Sequence, residues 1–390
     1  MRPDALRHHV QALLLSLCSA CDRHGRCKLS SMPLWKRLGF LAVFVVPALM
    51  PFAAWLGTAT GYRDAAAWFP LFFLFVLLPA CDYALGHDPF NPAPELRPNL
   101  EQDRWFRAMT LAALPVQLAV LAWSGWHFVH GDYGLGGAIG WLLSQGIVGG
   151  ILAINVAHEL IHKPDRLEQA AGGALLSSVG YQGFKVEHVR GHHVHVSTPA
   201  DASSARFGQS LWHFLPRALL RNTSNAWALE AQRLRRDGLP WLHWRNELLG
   251  WTALWAAMAA GFWLWLGMRG LVFFVVQGFF AACALEIINY IEHYGLERRH
   301  LGDGRYERTT HLHSWNSDYA LSNLFLFHLQ RHSDHHETPR RRYQVLLHHP
   351  DSPQLPGGYA AMFVLALFPP LWFRAVNPRV EAFRLLNMDS

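Results

Sequence analysis

Residues 135–162 read LGGAIGWLLSQGIVGGILAINVAHELIH. From Leu135 to Ala157 there is no charged side chain, and the run exceeds the ~20 residues that a helix needs to cross a bilayer. It passes without a break into His158-Glu159-Leu160-Ile161-His162. Spaced i and i+4, His158 and His162 share one face of that helix. An apolar span ending in two aligned imidazoles therefore reads as a membrane helix that delivers ligands to a metal.

The rest of the chain has the same character. Five more runs lack charge: Leu38 to Thr60, Ala65 to Cys81, Ala108 to Trp126, Leu248 to Gly267 and Gly270 to Leu285. The expected fold is an all-α integral membrane protein. Its six transmembrane helices fall near 38–60, 65–86, 108–128, 135–160, 248–267 and 270–291. The short links after the first, third and fifth spans hold only Arg63 and Arg269 of the 34 Lys and Arg. By the positive-inside rule the opposite side is cytoplasmic. Both termini and every histidine cluster then lie on the cytoplasmic side of a bacterial-type cytoplasmic (inner) membrane.

The net charge of +6 follows from the same bias. No basic run is interleaved with aromatic residues, so nucleic acid is not an expected partner. Residues 1–33 read as an extension of unclear fold, 34–380 as the membrane domain and 381–390 as a tail. Cys18 and Cys21 form a single C-x-x-C with His24 and Cys27 nearby. A rubredoxin-type iron site needs two such pairs, and the cysteines do not form a disulfide framework. Gly358 to Phe373 is apolar but short, and is expected to pack on the core or lie at the interface. Asn225 to Arg236 has helical periodicity and is expected along the membrane surface.

Nine histidines fall in tight clusters: His158 and His162; His188, His192 and His193; His293; and His332, His335 and His336. Imidazole is the commonest metal ligand at neutral pH. Nine exceed the four that one zinc takes, so two metals are expected. An all-imidazole set suits iron, copper, nickel or zinc. If residues 188–193 are α-helical, His188 and His192 share a face and His193 turns about 100° away. His158-Glu159-x-x-His162 also matches the zinc-protease pattern, but that reading leaves seven clustered histidines unused. Carboxylates commonly orient metal-binding imidazoles. The candidates are Glu159, Glu187, Asp201, Glu286, Glu292 and Asp334, with Asn289 on the Glu286 face of the sixth span.

Taken together these motifs resemble one family. The matching stretches are His158-Glu159-Leu160-Ile161-His162-Lys163, Glu187-His188-Val189-Arg190-Gly191-His192-His193, Thr198-Pro199-Ala200-Asp201 and Ser203-Ser204-Ala205-Arg206. They continue with Asn289-Tyr290-Ile291-Glu292-His293-Tyr294-Gly295-Leu296, His313-Ser314-Trp315-Asn316-Ser317 and Leu329-Gln330-Arg331-His332-Ser333-Asp334-His335-His336. The chain is similar, from about Leu34 to Val380, to the membrane alkane 1-monooxygenases, the non-haem di-iron alkane hydroxylases. The resemblance implies six membrane helices and nine histidine ligands for two iron ions. It also implies oxygen-dependent hydroxylation of an alkane to a primary alcohol. Electrons would come from rubredoxin, supplied in turn by rubredoxin reductase and NADH. The sequence ends at Ser390 without a fused rubredoxin, so a separate donor is expected. Related readings are a membrane di-iron fatty-acyl desaturase and a xylene-type methyl hydroxylase.

A hydrocarbon substrate would enter from the bilayer, between spans. The second span supplies the candidate channel residues Phe72, Leu74, Phe75 and Leu78, with Asp82 at its end; Leu74 and Leu78 precede Asp82 on one helical face. A leucine at 74 obstructs less than a tryptophan would, which leans towards medium-to-long alkanes. Arg298, Arg299, Arg331, Arg340, Arg341 and Arg342 could steer an acidic electron carrier.

Overall fold

The computed structural model describes residues 32–388. The cysteine cluster at Cys18, Cys21 and Cys27 lies outside them. The described residues are mostly helical, and four helices are long and apolar enough to cross a membrane. These are α1 (Leu34–Thr60), α3 (Arg104–His130), α4 (Leu135–Ile161) and α7 (Glu247–His293); the shorter apolar helix α2 is Phe69–Leu85. Between α4 and α7 lie α5 (Arg166–Ser178) and α6 (Leu211–Arg236). After α7 come α8 (His332–Glu337), α9 (Tyr359–Ala366) and α10 (Pro369–Met388).

Although α7 is 47 residues long, it is not one rod. Gly267 breaks it with φ 66° and ψ −161°, a left-handed φ that glycine adopts without a Cβ clash. The Phe262 and Phe274 rings stand 5.1 Å apart across the break. Twelve residues of straight helix would separate them by about 18 Å. The two arms therefore fold back on each other as a hairpin.

α4 packs closely on the second arm because small residues face it. A Cβ at Gly146 would come within 2.5 Å of Phe280 Cβ and 3.0 Å of the Gln277 carbonyl. Such close backbone approach is how membrane helices gain packing energy where lipid is as apolar as they are. α9 and the start of α10 pack on α7 through buried Tyr359, Met362, Ala366 and Trp372, so this apolar segment belongs to the core. α6 begins fourteen residues before Asn225, with its N-cap Ser210 accepting from the His213 amide.

The all-helical expectation is amended by one small hairpin. Strands His300–Gly302 and Arg305–Tyr306 pair antiparallel around Asp303 and Gly304, whose φ values are 52° and 71°. Two left-handed residues in an Asp-Gly loop suit a tight β-hairpin turn.

Candidate metal centre

Nine imidazoles from four segments of chain meet at one end of the helical core. They form two groups, within each of which one ring nitrogen per residue lies within 4.8 Å of all the others. One group is His158, His162, His188, His193 and His335; the other is His192, His293, His332 and His336. In the first, His193 Nε2 stands 3.0 Å from His188 Nε2 and 3.1 Å from His335 Nε2. In the second, His332 Nε2 is 2.9 Å from His336 Nε2 and 3.2 Å from His293 Nε2, and His192 Nε2 is 3.2 Å from His336 Nε2.

These spacings fit a cation. Nitrogens that each sit ~2.0–2.1 Å from one ion lie about 3 Å from one another. A hydrogen-bonding account fails, because one Nε2 proton can serve only one of the several nitrogens it faces. His158 Nε2 and His162 Nε2 are buried with no hydrogen-bond partner among the described residues. Unpartnered buried polar atoms are rare unless something absent satisfies them. Burial holds His188, His193, His332, His335 and His336 far below the usual imidazole range, which keeps their nitrogens neutral and available to a metal.

Local backbone explains how the histidines divide. His158 and His162 share a face at the end of α4, as their spacing predicts. The second motif departs from its expected pairing. Residues His188–His192 form a π-helical turn between two short α-helical pieces. Its wider i→i+5 winding brings His193 to the side of His188 and sends His192 to the other group. In α8, His332 and His336 are one turn apart and fall in the four-histidine group, while His335 faces the five-histidine group. His293, the last residue of α7, joins the four.

The candidate carboxylates do different work. Asp201 accepts from His192 Nδ1 at 3.0 Å and is itself held by Ser204 Oγ at 2.6 Å and the Ser203 amide at 3.1 Å. This bond fixes the His192 proton on Nδ1 and leaves Nε2 free. Burial would raise the Asp201 carboxyl, but His192 and Ser204 outweigh it and hold the group at about 2. Burial pushes Glu187 the other way, to about 8, and the Asp201 charge adds to the effect.

Glu292 Oε2 lies 3.2 Å from His332 Nε2, on the metal-facing side of that ring. Glu286 accepts from Tyr181 Oη, from Asn222 Nδ2 at 2.9 Å and from Asn289 Nδ2 at 3.2 Å, tying α7 to α6. Asp334 pairs with Arg341 and with His349 Nε2 at 2.9 Å, and accepts from the Leu347 amide at 3.0 Å, anchoring α8 to the loop behind it. Glu159 pairs with Lys163 at 3.0 Å and accepts from the Tyr343 amide at 3.3 Å. Committed to these partners, it does not act as the free base that a zinc protease requires.

Sequence reasoning passed over Ser314 as a bracing group, although its Oγ lies 3.4 Å from His293 Nδ1. It also passed over Arg331 as a structural residue. This arginine is 1% exposed and donates to the carbonyls of Leu346 at 2.7 Å, Asp88 at 2.8 Å and Phe90 at 3.0 Å. It pins the segment before α8 to the chain after α2 and is no surface charge. Arg341 and Arg342 are likewise engaged, by Asp334 and by Glu168. The neighbouring proline-rich link, irregular and without periodicity, gave no signal of these contacts.

An apolar cavity lies among the elements that carry these histidines. Two helices and a turn lead from its wall to the histidines: Ile151 and Asn155 precede His158 on α4, Leu285 and Ile288 precede His293 on α7, and Leu329, in the turn before α8, precedes His332. Of the channel candidates, Leu74, Phe75 and Leu78 line the cavity. Phe72 does not, being 48% exposed. Asp82 is buried at the end of α2, where its Oδ1 accepts from the amides of Leu321 at 3.0 Å and Ser322 at 2.9 Å. Its role is to cap the short helix that begins at Ala320.

A helical fold with membrane-length apolar helices, two imidazole clusters and an apolar cavity among the same helices defines a membrane metal-binding class. The family model described as fatty acid desaturase matches residues 134–366. An alkane 1-monooxygenase 2 of Alcanivorax borkumensis (strain SK2) is 54% identical over 357 residues, covering 91% of this chain and 94% of its own. An alkane 1-monooxygenase 2 of Pseudomonas aeruginosa (strain PAO1) is 53% identical over 351 residues, covering 89% and 93%. The xylene/toluene monooxygenase hydroxylase component of Pseudomonas putida is 29% identical over 239 residues, covering 61% and 63%. The chain belongs to the alkane 1-monooxygenase family, within the fatty acid desaturase superfamily.

Proposed function

We propose that this protein is an alkane 1-monooxygenase that hydroxylates the terminal methyl group of an alkane to a primary alcohol, with O2 as oxidant. The observation that carries this reading is nine imidazoles, eight of them buried, in groups of five and four, carried by elements that also line an apolar cavity. Each group would hold one iron, His158, His162, His188, His193 and His335 the first, and His192, His293, His332 and His336 the second. A methyl C–H bond has no polarity for an acid, base or nucleophile to exploit, and the two irons, when bound, supply the oxygen chemistry that can break it. The chain's own residues do the remainder. Leu74, Phe75, Leu78 and Phe363 exclude water and direct the hydrocarbon lengthwise, Asp201 holds the His192 ring, and Glu286, Asp334 and Arg331 keep α6, α7 and α8 in register.

Six membrane crossings accommodate α1, α2, α3, α4 and the two arms of α7, with both termini and the histidines on the cytoplasmic side of the inner membrane. The Lys and Arg bias and the break at Gly267 support that arrangement. Rubredoxin, fed by its reductase and NADH, is the electron donor. An open cleft bordered by His162, His193, Lys163, Arg308 and Arg340 gives an acidic carrier an approach to the five-histidine group.

The deciding experiment is product analysis on an alkane series, with rubredoxin, rubredoxin reductase and NADH supplied. Primary alcohols are expected. An alkene product would move the chain to the desaturases. Full activity in His192→Ala or His335→Ala would sink the metal assignment.

A further inference from the structure

Apart from the nine histidines, a second set of ligand-type side chains converges at the far end of α8. His311, Glu337 and His349 each bring one donor atom within 4.8 Å of the other two, and all three residues are half-buried. Asp351 adds a fourth donor. Its Oδ2 lies 2.8 Å from His311 Nε2, while Glu337 Oε2 lies 3.2 Å from His311 Nδ1. The His311 and His349 rings stand 4.5 Å apart and nearly parallel, at 9°. The four residues come from the turn before Ser314, the end of α8 and the loop behind it.

Two of the donors are held by elements already described. Glu337 is the last residue of α8 and directly follows His336. His349 Nε2 donates to Asp334 Oδ1 at 2.9 Å, and that carboxylate is fixed in turn by Arg341 and by the Leu347 amide at 3.0 Å. The bond places the His349 proton on Nε2. Its Nδ1, which makes no hydrogen bond among the described residues, keeps a lone pair. An imidazole oriented by a carboxylate through its other nitrogen is the usual form of a metal ligand. Ion pairing alone would make His311 an imidazolium between its two acids. That arrangement gives the oriented His349 ring beside it no part. Two imidazoles and two carboxylates are zinc donors, and the two negative charges offset a divalent cation.

We propose that His311, His349, Glu337 and Asp351 form a zinc site separate from the nine-histidine centre. The parallel rings turn about χ2 to face a shared ion, at a partly open position where the two side chains are 24% and 21% exposed. Zinc there ties the turn before Ser314 and the loop at His349 to the end of α8. It braces from outside the helix that carries His332, His335 and His336.

The test uses the purified full-length, iron-loaded protein in detergent, with zinc chloride as the probe. Zinc and iron per chain are measured by elemental analysis after free metal is removed, for the wild type and for His311→Ala. Zinc affinity is measured by competition with a chromophoric chelator. The wild type is expected to retain one zinc with its iron content unchanged. Losing a group that only orients a ligand weakens metal binding about 10–100-fold, so loss of a ligand should weaken zinc binding at least about tenfold. Zinc should also raise the thermal midpoint of the wild type and leave that of His311→Ala where it was, because an ion bound by the folded form stabilises it.

Absence of retained zinc overturns the proposal and leaves the cluster as ion pairs. Zinc held equally well by His311→Ala also overturns it, since the ion then sits elsewhere in the chain, Cys18 and Cys21 included. Zinc gained only as iron is lost places the ion in the nine-histidine centre and overturns it too. Should His311→Ala fail to fold, Asp351→Asn carries the same comparison, because it replaces one oxygen of a side chain that is 64% exposed.

Discussion

At the scale of single residues, the chemistry depends on which ring nitrogen is left free. The Asp201 bond to His192 Nδ1 settles that for one member of the four-histidine group. Asp201→Asn is expected to lower iron occupancy and activity by roughly 10–100-fold, the usual effect of removing such a partner. Iron per chain and turnover, measured together, check it; unchanged occupancy with unchanged turnover goes against the assignment. Leu74 is 2% exposed and lines the cavity. Leu74→Trp should shorten the range of accepted alkanes, read from products across a chain-length series, and an unaltered range refutes the role. His188, His192 and His193 mark where residue-level reading stopped. Their clustering was plain, but their division between two groups depends on a π turn that no side-chain pattern announces.

At the scale of elements, function needs helices held in fixed relation. Glu230 on α6 binds Arg190, just before His192, at 2.6 Å, and accepts from the Glu247 amide that opens α7 at 3.0 Å. Burial raises its carboxyl, yet hydrogen bonds from Arg233, Glu247 and Arg190 prevail and hold it at about 2, below the ordinary 4.5. A depressed carboxyl stabilises the fold above its ordinary value, and that contribution is lost as pH falls from 4.5 towards about 2. Thermal midpoints followed into acid should fall in that window, and Glu230→Gln should already be less stable at neutral pH with a flatter acid limb. The packing of α4 on α7 gives a second expectation. Gly146→Leu must displace Phe280 or the Gln277 backbone, at a cost of about 1–3 kcal/mol for overpacking. A lower thermal midpoint in detergent reads this out, and an unchanged midpoint means the helices can part freely.

At the scale of the whole molecule, the candidate metal centre is also a structural knot, because four segments distant in the chain meet there. Metal that binds the folded form alone stabilises it by mass action. Removing iron with a chelator should lower the thermal midpoint, and restoring iron should recover it, with two ions bound per chain at saturation. A stoichiometry of one contradicts the assignment of one ion to each histidine group. The proposed six-crossing topology predicts that cysteines introduced near residues 62, 132 and 268 are labelled from outside the cell. Labelling there from the cytoplasmic side instead reverses the orientation.

Much of this was present in the linear sequence. Charge-free runs are set by the bilayer's intolerance of unpaired charge, so the apolar segments could be counted without a structure. Imidazoles at helical spacing beside a span pointed to clusters able to bind metal, because so many clustered histidines have no cheaper explanation. Folding alone decided the rest, since those properties arise from contacts between segments far apart in the chain. The five-and-four division comes from a backbone winding that reorients His192 and His193. The burial of Arg331 comes from carbonyls contributed by residues 88, 90 and 346. The docking of α9 on α7 through Tyr359, Met362 and Ala366 joins two helices separated by a loop that carries no record of where it leads.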